Sequence, residues 1–451
     1  MRSQNRWLSG GFVLSALVPA FRTPDLRRRI LWTLGLLALF RLGATLPSPG
    51  VDYRSVRDCI DVVSGGESAG IYQLIDVFSG GAMLQLTVFA VGIVPYITAS
   101  IVTQLLTVVI PRFADLRAEG QAGQAKITQY TRYLAVALGA LQASTLVALA
   151  ARKQLLRGCP KEVLADNGIF AMLVIVLVMT AGAALAMWFG EQITERGIGN
   201  GMSLLIFAGI AARIPSQGRS ILNSSGVLIF IGVCAAVLLM IVGVIFVEQG
   251  QRRIPVQYAK RVVGRKMYGG SSTYLPLKVN QAGVVPVIFG SSLLYLPNLL
   301  TQLTQRGPGE QTGWQRVVQR YLVDPGNPVH VAVYIALIVF FTYFYVSVTV
   351  DPAERADEMR KFGGFVPGYR PGKATADYLS HVLTRITLPG SVYLGVVAVL
   401  PNLLAHFGAA GPAQNLAFGG TSVLIVVSVG LDTIKQLESQ LMTKNYTGFL
   451  R

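Results

Sequence analysis

Residues able to do acid–base, nucleophilic or metal chemistry are few and scattered in this sequence. The three histidines, His330, His381 and His406, stand at or near the ends of apolar runs and share no ligand spacing. The three cysteines, Cys59, Cys159 and Cys234, show none either. There is no Walker loop, so the chain does not itself hold ATP in that manner. None of the 22 acidic residues falls near the centre of a long apolar run. A proton- or sodium-coupled transporter usually needs an ionisable group there, despite a cost of about 2.5–3.5 kcal/mol on insertion scales. The best Gly-x-Gly candidate is GEQITERGIGNGMSLLIF at 190–207. A phosphate loop would follow a strand, and none precedes this one. Its plainer reading is a tight cytoplasmic turn with Glu191, Glu195 and Arg196 in the headgroup region.

The polar side chains instead decorate apolar segments. The stretch FAVGIVPYITASIVTQLL at 89–106 is uncharged, and its 18 residues reach roughly 27 Å as a helix, enough to cross a bilayer. Gly92, Thr98, Ser100 and Gln104 recur along it, and Pro95 sits in its middle between Ile93 and Ile97. An anchor would use Leu, Val and Ile all round. A lipid-compatible side, a side for close helix contact and a break predict a span that lines something or moves. Gln104, Gln142 and Arg41 are the polar exceptions within spans, and an interhelical hydrogen bond is the ordinary use of Gln142.

The elements that must hold these residues are membrane helices. The chain is 52% hydrophobic and 14% charged, against about 25% charged in soluble domains. Apolar runs of 17 to 25 residues favour helices over a barrel. Ten spans are expected, at 30–46, 84–110, 130–151, 169–190, 202–221, 227–247, 284–303, 329–350, 386–404 and 418–437. Ten spans put both termini on one face. Segments on that face hold 25 of the 39 Lys and Arg, against nine on the other, with Arg41, Arg132, Arg213, Arg219 and Lys435 inside the span bounds. Positive residues stay inside, so both termini are expected in the cytoplasm. The net charge of +17 is largely explained by this topology. No small-x-small cleavage site follows the first apolar run, which Arg27, Arg28 and Arg29 precede. Cys59 and Cys159 fall in expected external loops, where an oxidising space would allow them to pair. The spans divide five and five near Gly226, and an odd number per half makes two halves, 1–225 and 226–451, inverted in the membrane.

Two cytoplasmic loops exceed simple turns. In residues 248–281, Ile254, Val256 and Tyr258 alternate before Gly264, which predicts a β-hairpin studded with Arg252, Arg253, Lys260, Arg261, Arg265 and Lys266. In residues 351–385, Asp351 can cap a helix, Pro352 suits its first turn, and Gly363 and Gly364 end it. A Pro/Gly tip, FVPGYRPG at 365–372, then presents Arg370. Between the first two spans, Ile71, Leu74, Ile75 and Phe78 form one apolar face on a segment too short to cross. It is either an external surface helix or a re-entrant one.

Here the sequence resembles the SecY family, the central subunits of bacterial protein-conducting channels. GIVPYITASIVTQLL at 92–106 and GEQITERGIGNGMSLLIF at 190–207 look like its two signatures. FSGGA at 78–82, GQRRIPVQYAKR at 250–261, LPLKVNQAGVVP at 275–286, FVPGYRPG at 365–372 and FGGTSVLIVV at 418–427 match in family order. Together they run from the first span to the last.

The resemblance implies an all-α polytopic membrane protein: ten transmembrane helices in two inverted, pseudosymmetric halves around an hourglass pore. The segment carrying Ile71, Leu74, Ile75 and Phe78 would be a short re-entrant plug. Ile93, Ile97, Ile206, Ile288 and Ile425 match the pore-ring positions. Thr98 and Gln142 match polar positions of a lateral gate between spans two and three and span seven. Where the family often has a polar residue in span seven, this sequence has Leu296, with Asn298 close by. Arg253, Arg261 and Arg370 stand at the family's contact arginines, and Arg265 and Lys266 extend that basic patch for docking.

The implied partners are SecE-like and SecG-like membrane subunits, the SecA motor ATPase, the ribosome, secretory precursors with signal sequences, and membrane lipid. No cofactor is implied, and the place is the bacterial plasma membrane. A collar of branched apolar side chains suits this role. It wets poorly, which raises the barrier to ions, and it makes no directional bonds that would select a sequence. The alternative class, a secondary transporter of a small solute, needs a midplane carboxylate or a broken-helix site, and only the break at Pro95 is available. A membrane enzyme needs a convergent His, Asp or Ser cluster, and none converges.

Overall fold

A computed structural model describes residues 21, 23–56, 59, 81–151, 163–164, 168–258, 261–263, 266–268, 272–304, 312–323, 327–407 and 420–447. The plug residues Ile71, Leu74, Ile75 and Phe78, together with Arg265, Lys260 and Cys159, lie outside the described residues.

Each of the ten expected span segments carries helix. The helices are α1 (Pro24–Gly43), α2 (Val94–Val109), α3 (Pro111–Ala118), α4 (Gln121–Ala151), α5 (Ile169–Arg196), α6 (Gly201–Ala211), α7 (Ile214–Gln249), α8 (Val285–Thr304), α9 (Gly313–Val318), α10 (Pro328–Thr349), α11 (Pro352–Lys361), α12 (Lys373–Phe407) and α13 (Gly420–Thr447). Among the described residues, six helices are long and apolar enough to cross a membrane. A seventh joins them if α2 and α3, bent by 97° at Ile110, are taken as one span. The exposed apolar side chains sit where lipid would meet them: Leu228, Leu239 and Phe246 on α7, and Phe170 and Leu177 on α5.

Pro95 does not break a span. It lies in the first turn of α2, where its missing N–H forfeits no helical hydrogen bond. The residues before it, 81–93, fold as buried turns instead of the expected helix. Leu86 and Gly92 adopt positive φ, 48° and 58°, which bends the chain there. Phe89 plugs this turn into the bundle, stacked on Phe40 at 5.4 Å and edge-on to Phe189 at 6.2 Å. Gly43 and Gly182 leave the room: a Cβ at Gly43 would strike the Phe89 ring, and one at Gly182 the Val88 carbonyl. The fifth expected span is also shorter than its apolar run. Helix α6 stops at Ala211, and Pro215 sits in the first turn of the next helix. Within α7, Gly226 takes φ 81° and ψ 170°, which breaks the helix at the expected junction of the halves.

The two long cytoplasmic loops form one body. Strand β1 (Gln251–Tyr258) pairs antiparallel with β4 (Ser272–Lys278), from Gln251 opposite Lys278 to Gln257 opposite Ser272. Its other edge takes β5 (Gly364–Phe365), from the second loop. A small hairpin, β2 (Arg261–Val263) with β3 (Lys266–Tyr268), extends from it. Ile254, Val256 and Leu277 face inward, and Ile254 and Leu277 pack on Leu379, Val382, Leu383 and Ile386 of α12. The period-two alternation of β1 thus seats one face on a helix that continues into the membrane.

Candidate channel neck, lateral seam and cytoplasmic face

The five isoleucines belong to, or pack against, one apolar cluster. Ile93 (2% exposed) precedes α2, Ile206 (4%) lies on α6 and Ile425 (1%) on α13, all in one apolar cluster. Ile97 of α2 and Ile288 of α8 are half-buried and pack against that cluster. Four elements, two before Gly226 and two after it, therefore contribute branched side chains to one contiguous apolar cluster. Their local chemistry makes this possible. Asn200 caps α6 by accepting from the Met202 and Ser203 N–H groups at 3.1 and 3.4 Å. Gly201 lies so close to the Gly190 carbonyl that no Cβ would fit, which holds α6 against α5.

The seam between the halves is apolar. Ile97, Ile101 and Leu105 of α2 face Val285 and Phe289 of α8 and Leu337, Phe341 and Tyr345 of α10. Phe289 is edge-on to Phe341 at 5.7 Å and to Tyr345 at 6.4 Å. The expected polar gate residues do not bridge this seam. Thr98 donates to the Val94 carbonyl of its own helix at 3.0 Å. Gln142 is half-buried on α4 and makes no hydrogen bond among the described residues, so the expected interhelical bond is not formed. Leu296 lies on α8, and its side chain is outside what is described.

On the cytoplasmic face Arg253 is exposed, because its neighbour Ile254 takes the buried side of β1. Arg261 and Lys266 lie on the β2–β3 hairpin, and their side chains are outside what is described. Arg370 is exposed on a tip that is firmly held. Gly368 and Gly372 turn the chain with φ 89° and 105°. The Thr375 hydroxyl donates to the Arg370 carbonyl at 2.8 Å, and the Tyr369 ring stacks on Tyr378 at 4.2 Å. The preceding helix α11 is capped as expected: Asp351 accepts from the Ala353 and Glu354 N–H groups, and Gly363 takes φ 69° at the end.

Two features escape a reading of the sequence alone. Glu248, expected to begin a loop, is buried (8% exposed) in the last turn of α7, bonded to Asn280 and Ser428. Its only trace in sequence is an acidic residue at the end of an uninterrupted apolar run. Arg132 of α4 bonds Glu191 of α5 at 2.8 Å, a pair that no motif or spacing in the sequence links. Cys59 is disulfide-bonded, while Cys234 is free and exposed.

A family model described as SecY matches residues 87–434. The chain belongs to the SecY family. The protein translocase subunit SecY of Mycobacterium bovis is 67% identical over 441 residues, covering 97% of this chain and 100% of the relative. The Mycobacterium leprae and Corynebacterium glutamicum subunits of the same name are 66% and 56% identical, with the same coverage. Solved structures share the SecY fold at low identity. A protein-conducting channel aligns with TM-score 0.64 and 19% identity over 91% of each chain. A SecY protein whose plug domain stabilises its closed state aligns with TM-score 0.63 and 18% identity, over 91% of each chain. Canine Sec61 from a ribosome–channel complex gives 0.57 and 18%, again over 91% of each. This SecY-family chain is accordingly a multi-pass protein of the bacterial plasma membrane and a channel subunit, not an enzyme.

Proposed function

We propose that this SecY-family chain passes unfolded secretory polypeptides across the plasma membrane through a neck made by Ile93, Ile97, Ile206, Ile288 and Ile425. The observation that carries this reading is their convergence from four elements into one buried apolar cluster. An apolar collar gives an ion nothing to replace its hydration, yet it yields to an extended chain of any sequence. The residues 1–225 and 226–451 form the two halves of the clamp, hinged in sequence at Gly226. The segment with Ile71, Leu74, Ile75 and Phe78 serves as the external plug.

Transmembrane segments leave sideways where α2 meets α8 and α10. The seam is closed by van der Waals packing along α2, and the one described hydrogen bond across it is at its exposed end, from Arg117 of α3 to the Val348 carbonyl of α10 at 2.7 Å, so an apolar signal segment can replace one face of it with its own. Here Ile101 and Phe289 act as the contact residues, with Thr98, Gln142 and Leu296 beside them. Arg253, Arg261, Arg265, Lys266 and Arg370 dock the SecA motor or the ribosome. The shared sheet, which makes both loops one rigid platform, supports this, as does the ribosome-bound state of the related canine Sec61. SecE-like and SecG-like subunits complete the complex. The test is a photo-crosslinker placed at Ile101 or Phe289 during arrested export. It should capture the signal segment of the precursor; capture only of lipid would remove the seam from the path.

A further inference from the structure

Glu248 is a buried carboxylate that forms no ion pair among the described residues, with Lys278 acting on it only from a distance, and the neck and seam leave it no role. Such burial costs several kcal/mol unless hydrogen bonds satisfy the charge. Here they do. Its Oε1 accepts from Asn280 Nδ2 at 2.6 Å and from Ser428 Oγ at 3.2 Å. These donors come from different places. Asn280 (2% exposed) lies in the short connection from β4 to α8, and Ser428 (4%) lies on α13. Hydrogen bonds to a charged acceptor are shorter and stronger than neutral ones, so three parts of the molecule meet at one atom.

The same connection is fastened at further points. Asn280 Nδ2 also donates to the Gly283 carbonyl at 3.1 Å. The Val279 N–H donates to the Gly250 carbonyl at 3.0 Å, immediately after α7. The Val279 carbonyl lies so near Gly390 of α12 that a Cβ there would sit 2.5 Å away. Lys278 reaches Asp432 of α13 at 3.4 Å, an exposed pair of small worth. Upstream of this staple is the docking sheet, through β4. Downstream are two ring positions. Ile288 is five residues beyond Gly283, and Ile425 precedes Ser428 by three, on the same face of α13.

We propose that Glu248 is a positioning residue that transmits movement of the docking sheet to the pore ring. Displacing β4 moves Asn280, and the shared carboxylate carries α13 with it. The inference rests on the docking and ring assignments proposed above, and its test separates its own failure from theirs.

The test uses the complete channel complex in vesicles, with the motor ATPase and a secretory precursor. Glu248→Ala should leave the motor concentration for half-maximal transport unchanged and lower the maximal rate roughly tenfold, as loss of charge-assisted bonds implies. Resting ion conductance should stay low, because the ring is intact. Relaxing the ring with Ile425→Ser in the same chain should restore transport, which a merely misfolded channel would not show. Ser428→Ala removes one arm and keeps the carboxylate. It should lower the maximal rate in the same manner, and it decides the matter if Glu248→Ala fails to insert. A normal maximal rate in either variant overturns the proposal. So does a maximal rate that falls only with a matching rise in the motor requirement, since Glu248 would then merely shape the docking surface. If the unsubstituted complex moves no precursor, the proposed function fails, not the coupling.

Discussion

Isoleucine at the neck is chosen for what it cannot do. It offers no hydrogen bond to an ion or to a passing peptide, and its branched side chain fills space without a long flexible arm. Ile93 and Ile288 approach the cluster from opposite halves, one fully buried and one partly. Replacing both with Ser puts hydroxyls into the collar and lets water stay. Conductance of resting vesicles should rise at least about tenfold, the effect of about 1.4 kcal/mol taken off the barrier. Unchanged conductance would remove these residues from the ring. The ring positions themselves were legible only through their motifs. Isoleucine in an apolar span looks like any core residue, and nothing in its spacing announces that Ile206 and Ile425 share one cluster. Glu248 was illegible for a related reason: burial of a carboxylate depends on donors 32 and 180 residues away.

Among the elements, those with strong local rules were read correctly. The helix after Asp351 has its cap, its early proline and its glycine stop, and it forms as Pro352–Lys361. The alternation through Ile254, Val256 and Tyr258 gave a strand, but its second partner, β5, comes from a loop some 100 residues away and is two residues long. No periodicity marks so short an edge. Pro95 was misplaced because a proline in an apolar run reads as a kink, whereas the chain here turns first and starts its helix at Val94. Leu296 leaves the polar character of the gate open in the sequence, and Thr98, matched to a polar gate position, satisfies itself on its own helix backbone. The sheet's fusion of the two loops bears on docking. Arg370→Glu reverses one exposed charge on a fixed tip without disturbing the Thr375 bond, which uses the backbone carbonyl. It should raise the motor concentration needed for half-maximal export roughly tenfold while signal-segment binding stays normal. Normal export would exclude the tip from docking.

At the scale of the molecule, three features serve one task. The seam is closed by apolar packing with a single described hydrogen bond, Arg117 to the Val348 carbonyl, at its exposed end, so it can part. The neck is apolar, so it can stretch around a chain and still deny ions a path. The cytoplasmic sheet stands on α12 and ties through Asn280 and Glu248 to α7 and α13, so a partner docked on it as proposed would have a mechanical hold on the proposed neck. None of these parts supplies energy or chemistry; force must come from the motor or from chain elongation. The most direct measurement is protease protection of a secretory precursor in liposomes holding the purified complex, with the motor ATPase and ATP outside. The precursor should become resistant to added protease only when channel, motor and ATP are all present, and sensitive again when detergent opens the vesicles. Vesicles that take up a small solute but leave the precursor fully digestible would contradict the account.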